Sequence, residues 1–140
     1  MNFVPLLLSG VAALAIGAVY YHPKVFGTMW MHASGLTEEK LKGGNIFVIF
    51  GVTFLMAVMI AMYMGNDMAE HAASNPHFEA TSGPFGHGAI HGLVTSLFLV
   101  IPIIVTISLF ERRNFKYMLS HALYWIITMI AITSIVTGMA

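Results

Sequence analysis

Four apolar runs, roughly Phe3–Tyr21, Asn45–Met64, His87–Phe110 and Tyr117–Met139, take up most of this chain. Each is close to the ~20 residues a helix needs to cross ~30 Å of hydrocarbon. None shows the period-two alternation of a half-buried strand, and an open sheet cannot satisfy its backbone in lipid. The expectation is an all-α fold: an integral membrane four-helix bundle forming one domain from Met1 to Ala140.

Composition agrees. With 58% hydrophobic and 9% charged residues, the chain has too few polar groups to cover a soluble domain. A formal net charge of zero leaves no basic footprint for nucleic acid. The absence of cysteine excludes disulfides, thiolate metal sites and thiol chemistry, so any metal must be held by His, carboxylate, Met or backbone oxygen. The first run has the length of a signal peptide, but no Lys or Arg precedes Lys24, so it is expected to stay as a span.

Orientation follows from the cations. Lys24, Lys40 and Lys42 lie in the first polar segment, Arg112, Arg113 and Lys116 in the last, and Asn66–Phe85 holds none. The positive-inside rule then puts the loops 22–44 and 111–116 in the cytoplasm. Both termini and the 66–85 loop face outward, in a multi-pass protein of a bacterial plasma (inner) membrane. Tyr20, Tyr21 and Trp30 mark one cytoplasmic border, and Phe115, Tyr117, Tyr124 and Trp125 the other. Val25, Phe26, Met29 and Trp30 are spaced for a short interfacial helix in the first loop. Thr37, followed by Glu38 and Glu39, reads as a helix N-cap.

Small residues suggest where helices meet. Ser9, Ala13 and Gly17 recur every fourth residue in the first span, and Gly88, Gly92 and Ser96 in the third. Lipid offers no hydrophobic drive for association, so close backbone approach along such stripes takes its place. Pro102 cannot donate to the Phe98 carbonyl, which predicts a kink.

Three segments carry a resemblance: VYYHPKVFGTMWM (Val19–Met31), GLTEEKLK (Gly35–Lys42) and LFERRNFKYMLSHALYWI (Leu109–Ile126). Together they resemble the small bacterial membrane proteins of domain-of-unknown-function family 1761 over essentially the whole chain. The aromatic-Pro-x-x-Phe-Gly-x-x-Trp stretch and the Phe-Glu-Arg turn match best. His121 and Leu123 depart from the family pattern, which commonly has Asn and Gly there. The resemblance implies a four-helix membrane fold and no particular activity.

Chemistry is sparse within the spans. No Asp, Glu, Lys or Arg lies in the middle of any of them, which argues against a proton relay or pump. Thr53, Thr95, Ser96, Thr106, Ser108, Thr128, Thr133 and Ser134 can all bond the backbone of their own helices. The outward side is richer. Asp67, Glu70 and His71 follow the second span, His77 and Glu79 lie beyond them, and His87 and His91 open the third. His87 and His91 are four residues apart and share a helix face, and Glu70 or His71 would complete a site for zinc or a similar divalent ion. The competing reading is that these are ordinary interfacial residues at a helix start. Met56, Met59, Met62, Met64 and Met68 offer thioethers suited to Cu(I), although methionine also fills apolar gaps. His91 and His121 lie on the order of 20 Å apart along the membrane normal, too far to share one haem. Ser120 and His121 point to different helix faces and make no nucleophile–base pair.

Three functional readings remain from the sequence. The first is an assembly role, as a homo-oligomer or accessory subunit of a larger membrane complex. The second is outward-facing divalent-metal binding or transport through Asp67, Glu70, His71, His87 and His91. The third is a metal-dependent membrane hydrolase using His87 and His91. No catalytic residue and no certain cofactor emerges.

Overall fold

The structure is a computed structural model describing residues 2–74 and 76–140, with the side chains of Ala72, Pro76, Phe78, Glu79 and Ala80 outside the description. Every regular element among the described residues is helical. In order these are α1 (Phe3–Tyr20), α2 (Thr28–Ser34), α3 (Glu38–Lys42), α4 (Ile46–Ser74), α5 (Pro76–Thr95), α6 (Ile101–Phe110) and α7 (Phe115–Gly138). Four helical stretches are long and apolar enough to cross a membrane: Phe3–Tyr20, Ile46–His71, Thr81–Phe110 and Phe115–Gly138. Their outer surfaces fit lipid. Phe47, Phe98 and Phe110 are each about four-fifths exposed or more, at 86%, 79% and 87%.

The bundle is organised around α7. It packs against α5 along most of their shared length and touches α1, α4 and α6 as well. Its buried residues, Ser120, Tyr124, Thr128, Met129, Ile132, Thr133, Val136 and Thr137, are mostly small or hydroxylated. Several hydroxyls bond the backbone of the preceding turn. Ser96 donates to the Gly92 carbonyl, Thr133 to that of Met129 and Thr53 to that of Ile49, each at 2.7 Å. Asn114 starts α7 by accepting from the Tyr117 amide at 2.8 Å, while its own amide nitrogen donates to the Ala33 carbonyl at 3.2 Å. One side chain thereby caps the helix and ties it to α2.

Residues expected to form a long outward loop are largely helical. The α4 helix runs on to Ser74 and α5 starts at Pro76, so the described residues of Asn66–Phe85 lie almost wholly in helices. Asn66, Asp67, Glu70 and Ser74 make α4 polar past Met64 without breaking it, since none of them ends a helix as Gly or Pro does. The break comes at Gly83, whose φ of 70° and ψ of 161° kink α5 just before Pro84. Such a conformation is essentially open to glycine only. Glu79 lies where side chains are not described.

Pro102 is absorbed by a wide turn. Ser96–Val100 is π-helical and the Ile101 amide bonds the Ser96 carbonyl, so the ladder is already re-registered where the proline lacks its donor. At the same end, the aromatic-Pro-x-x-Phe-Gly-x-x-Trp stretch folds as a π-helical turn, Pro23–Gly27, running into α2. Gly27 permits it, because a Cβ there would stand 2.7 Å from the Tyr21 carbonyl carbon. Phe26 stacks on Tyr20 at 4.8 Å and Trp30 leans on Tyr21 at 4.9 Å. Both tyrosines also contact Tyr124 of α7, and the Tyr20 hydroxyl donates to the Ser120 carbonyl at 2.7 Å. The motif locks α1 to α7. Thr37 caps α3 by accepting from the Lys40 amide.

Candidate metal centre

At the opposite end of the bundle, three imidazoles converge. His71 comes from the last turns of α4, and His87 and His91 from successive turns of α5. Ring centroids are 4.4 Å apart for His71 and His91, 4.7 Å for His87 and His91, and 5.3 Å for His71 and His87. One ring nitrogen from each residue lies within 4.8 Å of the others. Tetrahedral nitrogen ligands at ~2.1 Å from a metal stand roughly 3.4 Å apart, so modest side-chain rotation on fixed helices closes the set. His87 is fully buried, while His71 and His91 are half-buried.

Helix geometry explains why His71 takes the third place. It continues the α4 stripe Met64, Met68, His71, spaced four and three residues apart and facing α5 and α7. Asp67, Glu70 and Ser74 form the neighbouring stripe and are exposed. Asp67 and Glu70 therefore stand outside the imidazole cluster, although Asp67 is within electrostatic reach of His91. His121 lies at the other end beside Tyr117, with ring centroids 4.4 Å apart, and takes no part.

The position of α5 rests on its glycines. A Cβ on Gly88 would stand 2.7 Å from the carbonyl carbon of Thr133 and 2.8 Å from the Cα of Ser134. On Gly92 it would meet the Thr133 hydroxyl, with the Met129 carbonyl oxygen at 2.7 Å and the Ile130 Cα at 2.8 Å. The Gly88/Gly92/Ser96 stripe thus lies backbone to backbone on α7. His87 and His91, one residue before each glycine, are turned toward α4 by the same contact. The α1 stripe is looser: Ser9 and Ala13 are buried, but a Cβ on Gly17 would be in ordinary contact with Tyr124 at 3.7 Å. A separate cleft of about 260 Å³ between α1, α4 and α7 is lined by Pro5, Leu6, Ala61, Gly65 and Val136 among others and holds no titratable side chain.

A family model described as a protein of unknown function (DUF1761) matches residues 4–137. The chain belongs to that family. No curated protein and no solved structure matches it. The DUF1761 description states no function and so assigns no chemistry to the imidazoles.

What the sequence did not reveal is the company of this site. Met129, from a helix more than thirty residues further on, lies beside Met64 and Met68. The only sequence signal for that neighbour is its position on the buried face of α7, which needs the helix packing to be known.

Proposed function

We propose that this DUF1761 protein is a multi-pass membrane protein that binds a transition-metal ion at the outward end of its bundle. The convergence of His71, His87 and His91 on one point carries this reading. Imidazole nitrogen is the ordinary ligand of zinc, copper, iron and nickel, and three of them leave a position open for exchange. Placement on the outward face follows from the cations, which lie in segments at the other end. A metal taken from outside meets the imidazoles first. The Gly88/Gly92/Ser96 stripe is used within the chain, so an assembly role draws no support from it. Glu70 is exposed and lies outside the imidazole cluster, so the hydrolase reading draws no support from it.

The test is metal retention by purified full-length protein in detergent, loaded separately with Zn(II) and Cu(I) and then desalted. We expect near-stoichiometric retention of at least one ion. His71→Ala, His87→Ala and His91→Ala should each remove most of it, and His121→Ala should leave it unchanged. A protein that keeps neither ion, or keeps it regardless of all three outward histidines, overturns the proposal.

A further inference from the structure

A second set of soft donors lies deeper in the bundle on the same face of α4. Met68 precedes His71 by three residues on the same face of α4, about 4.5 Å nearer the middle of the bundle. It is 2% exposed and packs with Met64 and Met129 in one buried cluster, against which Trp125 rests. Met129 reaches this level from α7, its carbonyl oxygen 2.7 Å from the place of a Cβ on Gly92, the residue after His91. The other methionines of the α4 stretch behave differently. Met56, Met59 and Met62 are 43%, 55% and 41% exposed and stand outside this buried cluster.

Donor chemistry and charge point the same way. Thioethers are soft ligands that select Cu(I), whereas imidazole serves Zn(II) and copper alike. The desolvation cost of an ion grows as the square of its charge, so a monovalent ion at this depth costs about a quarter of what a divalent one does. Imidazoles and thioethers add no charge of their own, so a monovalent ion leaves less charge uncompensated there than a divalent one. We propose that the ion for which this site is built is Cu(I), received by His71, His87 and His91 and shared with the deeper thioethers of Met68, about one turn further along α4, Met129 of α7 and, a further turn down, Met64. The ion keeps its oxidation state throughout, so no electron donor or acceptor is involved. This inference rests on the metal-binding reading above and names its ion.

A methionine that only fills space is replaced without loss by leucine, and one that ligates is not. The experiment compares full-length wild type with the triple variant Met64→Leu, Met68→Leu, Met129→Leu, with thermal melts confirming that both are folded. Cu(I) affinity is measured by competition with a chromogenic Cu(I) chelator, Zn(II) affinity by competition with a zinc indicator, and copper ligation by X-ray absorption of the Cu(I)-loaded protein. Wild type should prefer Cu(I) and show a copper–sulfur shell. The variant should lose that shell and, on the scale of even indirect perturbations of a metal site, on the order of ten- to a hundredfold in Cu(I) affinity. Its Zn(II) affinity should stay as it was. Should the triple variant fold poorly, Met68→Leu alone is read by the same shell. Cu(I) or Zn(II) held through the histidines with no sulfur shell, or Cu(I) affinity indifferent to the leucines, overturns this inference and leaves the metal site standing. Retention of neither ion removes both.

Discussion

Gly88→Ala adds one methyl group to a residue that is not itself a ligand, and it should nevertheless damage the metal centre. The new Cβ would stand 2.7 Å from the Thr133 carbonyl carbon, where ordinary contact begins at 3.4 Å. Both contacting groups belong to helix backbone, so no side chain can rotate away. The Thr133 carbonyl oxygen is nearer still, so accommodation requires α5 to withdraw from α7 by at least about 0.7 Å, a gap that forfeits a quarter to a half of the dispersion well at each facing atom pair. Overpacking of this kind costs roughly 1–3 kcal/mol. For a chain of this size that corresponds to a melting temperature lower by roughly 3–10 °C. Withdrawal also moves His87 and His91 relative to His71, and sites tolerate only about 0.5 Å of such displacement. Thermal melts in detergent and metal competition on the same preparations provide the assay. Gly51→Ala is the control, since nothing lies within 4 Å of a Cβ there, and it should be neutral or gain up to about 1 kcal/mol from helix propensity. If Gly88→Ala melts with wild type and binds metal as tightly, the backbone contact that orients the imidazoles is refuted.

Three further outcomes are expected. Ser74→Cys and Ala140→Cys should react with a membrane-impermeant thiol reagent on intact cells while Lys40→Cys does not; labelling at position 40 would reverse the orientation. Metal occupancy should fall as pH drops through the ordinary imidazole range near ~6.5, because a ligating nitrogen must give up its proton and acid competes for it. A metal affinity, read by competition, that does not weaken between neutral pH and pH ~5 would argue against histidine ligation. Asn114→Ala removes both the cap bond to Tyr117 and the tie to Ala33; a loss of about 1 kcal/mol or somewhat more should appear as a lower melting temperature, and Asn114→Asp, which keeps the cap alone, should recover part of it.

Much of this molecule is legible in its residue order because membrane spans are written locally. An apolar run of twenty residues means the same thing wherever it packs, and a glycine every fourth residue marks a close approach before the partner is known. The partner itself is a different matter. Nothing in Gly88 or Gly92 names Thr133 and Met129, and hydropathy alone ended the second span at Met64 although α4 continues for ten residues more. Polar residues within a helix look like a loop to a hydropathy scale. The third ligand was narrowed to Glu70 or His71, neighbours in sequence that project about 100° apart on a helix. Only the packing of Met64 and Met68 on α7 decides which one faces inward.

The position of α7 has a consequence for how such a chain is made. The helix against which all the other spans pack is the fourth to be inserted. Until it arrives, Gly88 and Gly92 on α5 have no surface to close upon, and α4 and α5 hold their histidines without the backing that fixes their spacing. Insertion of each span and maturation of the site are therefore separate events in time, the second waiting on the last span. In a bundle built this way, the packing that sets the spacing of the three histidines is completed only when its last helix is in place.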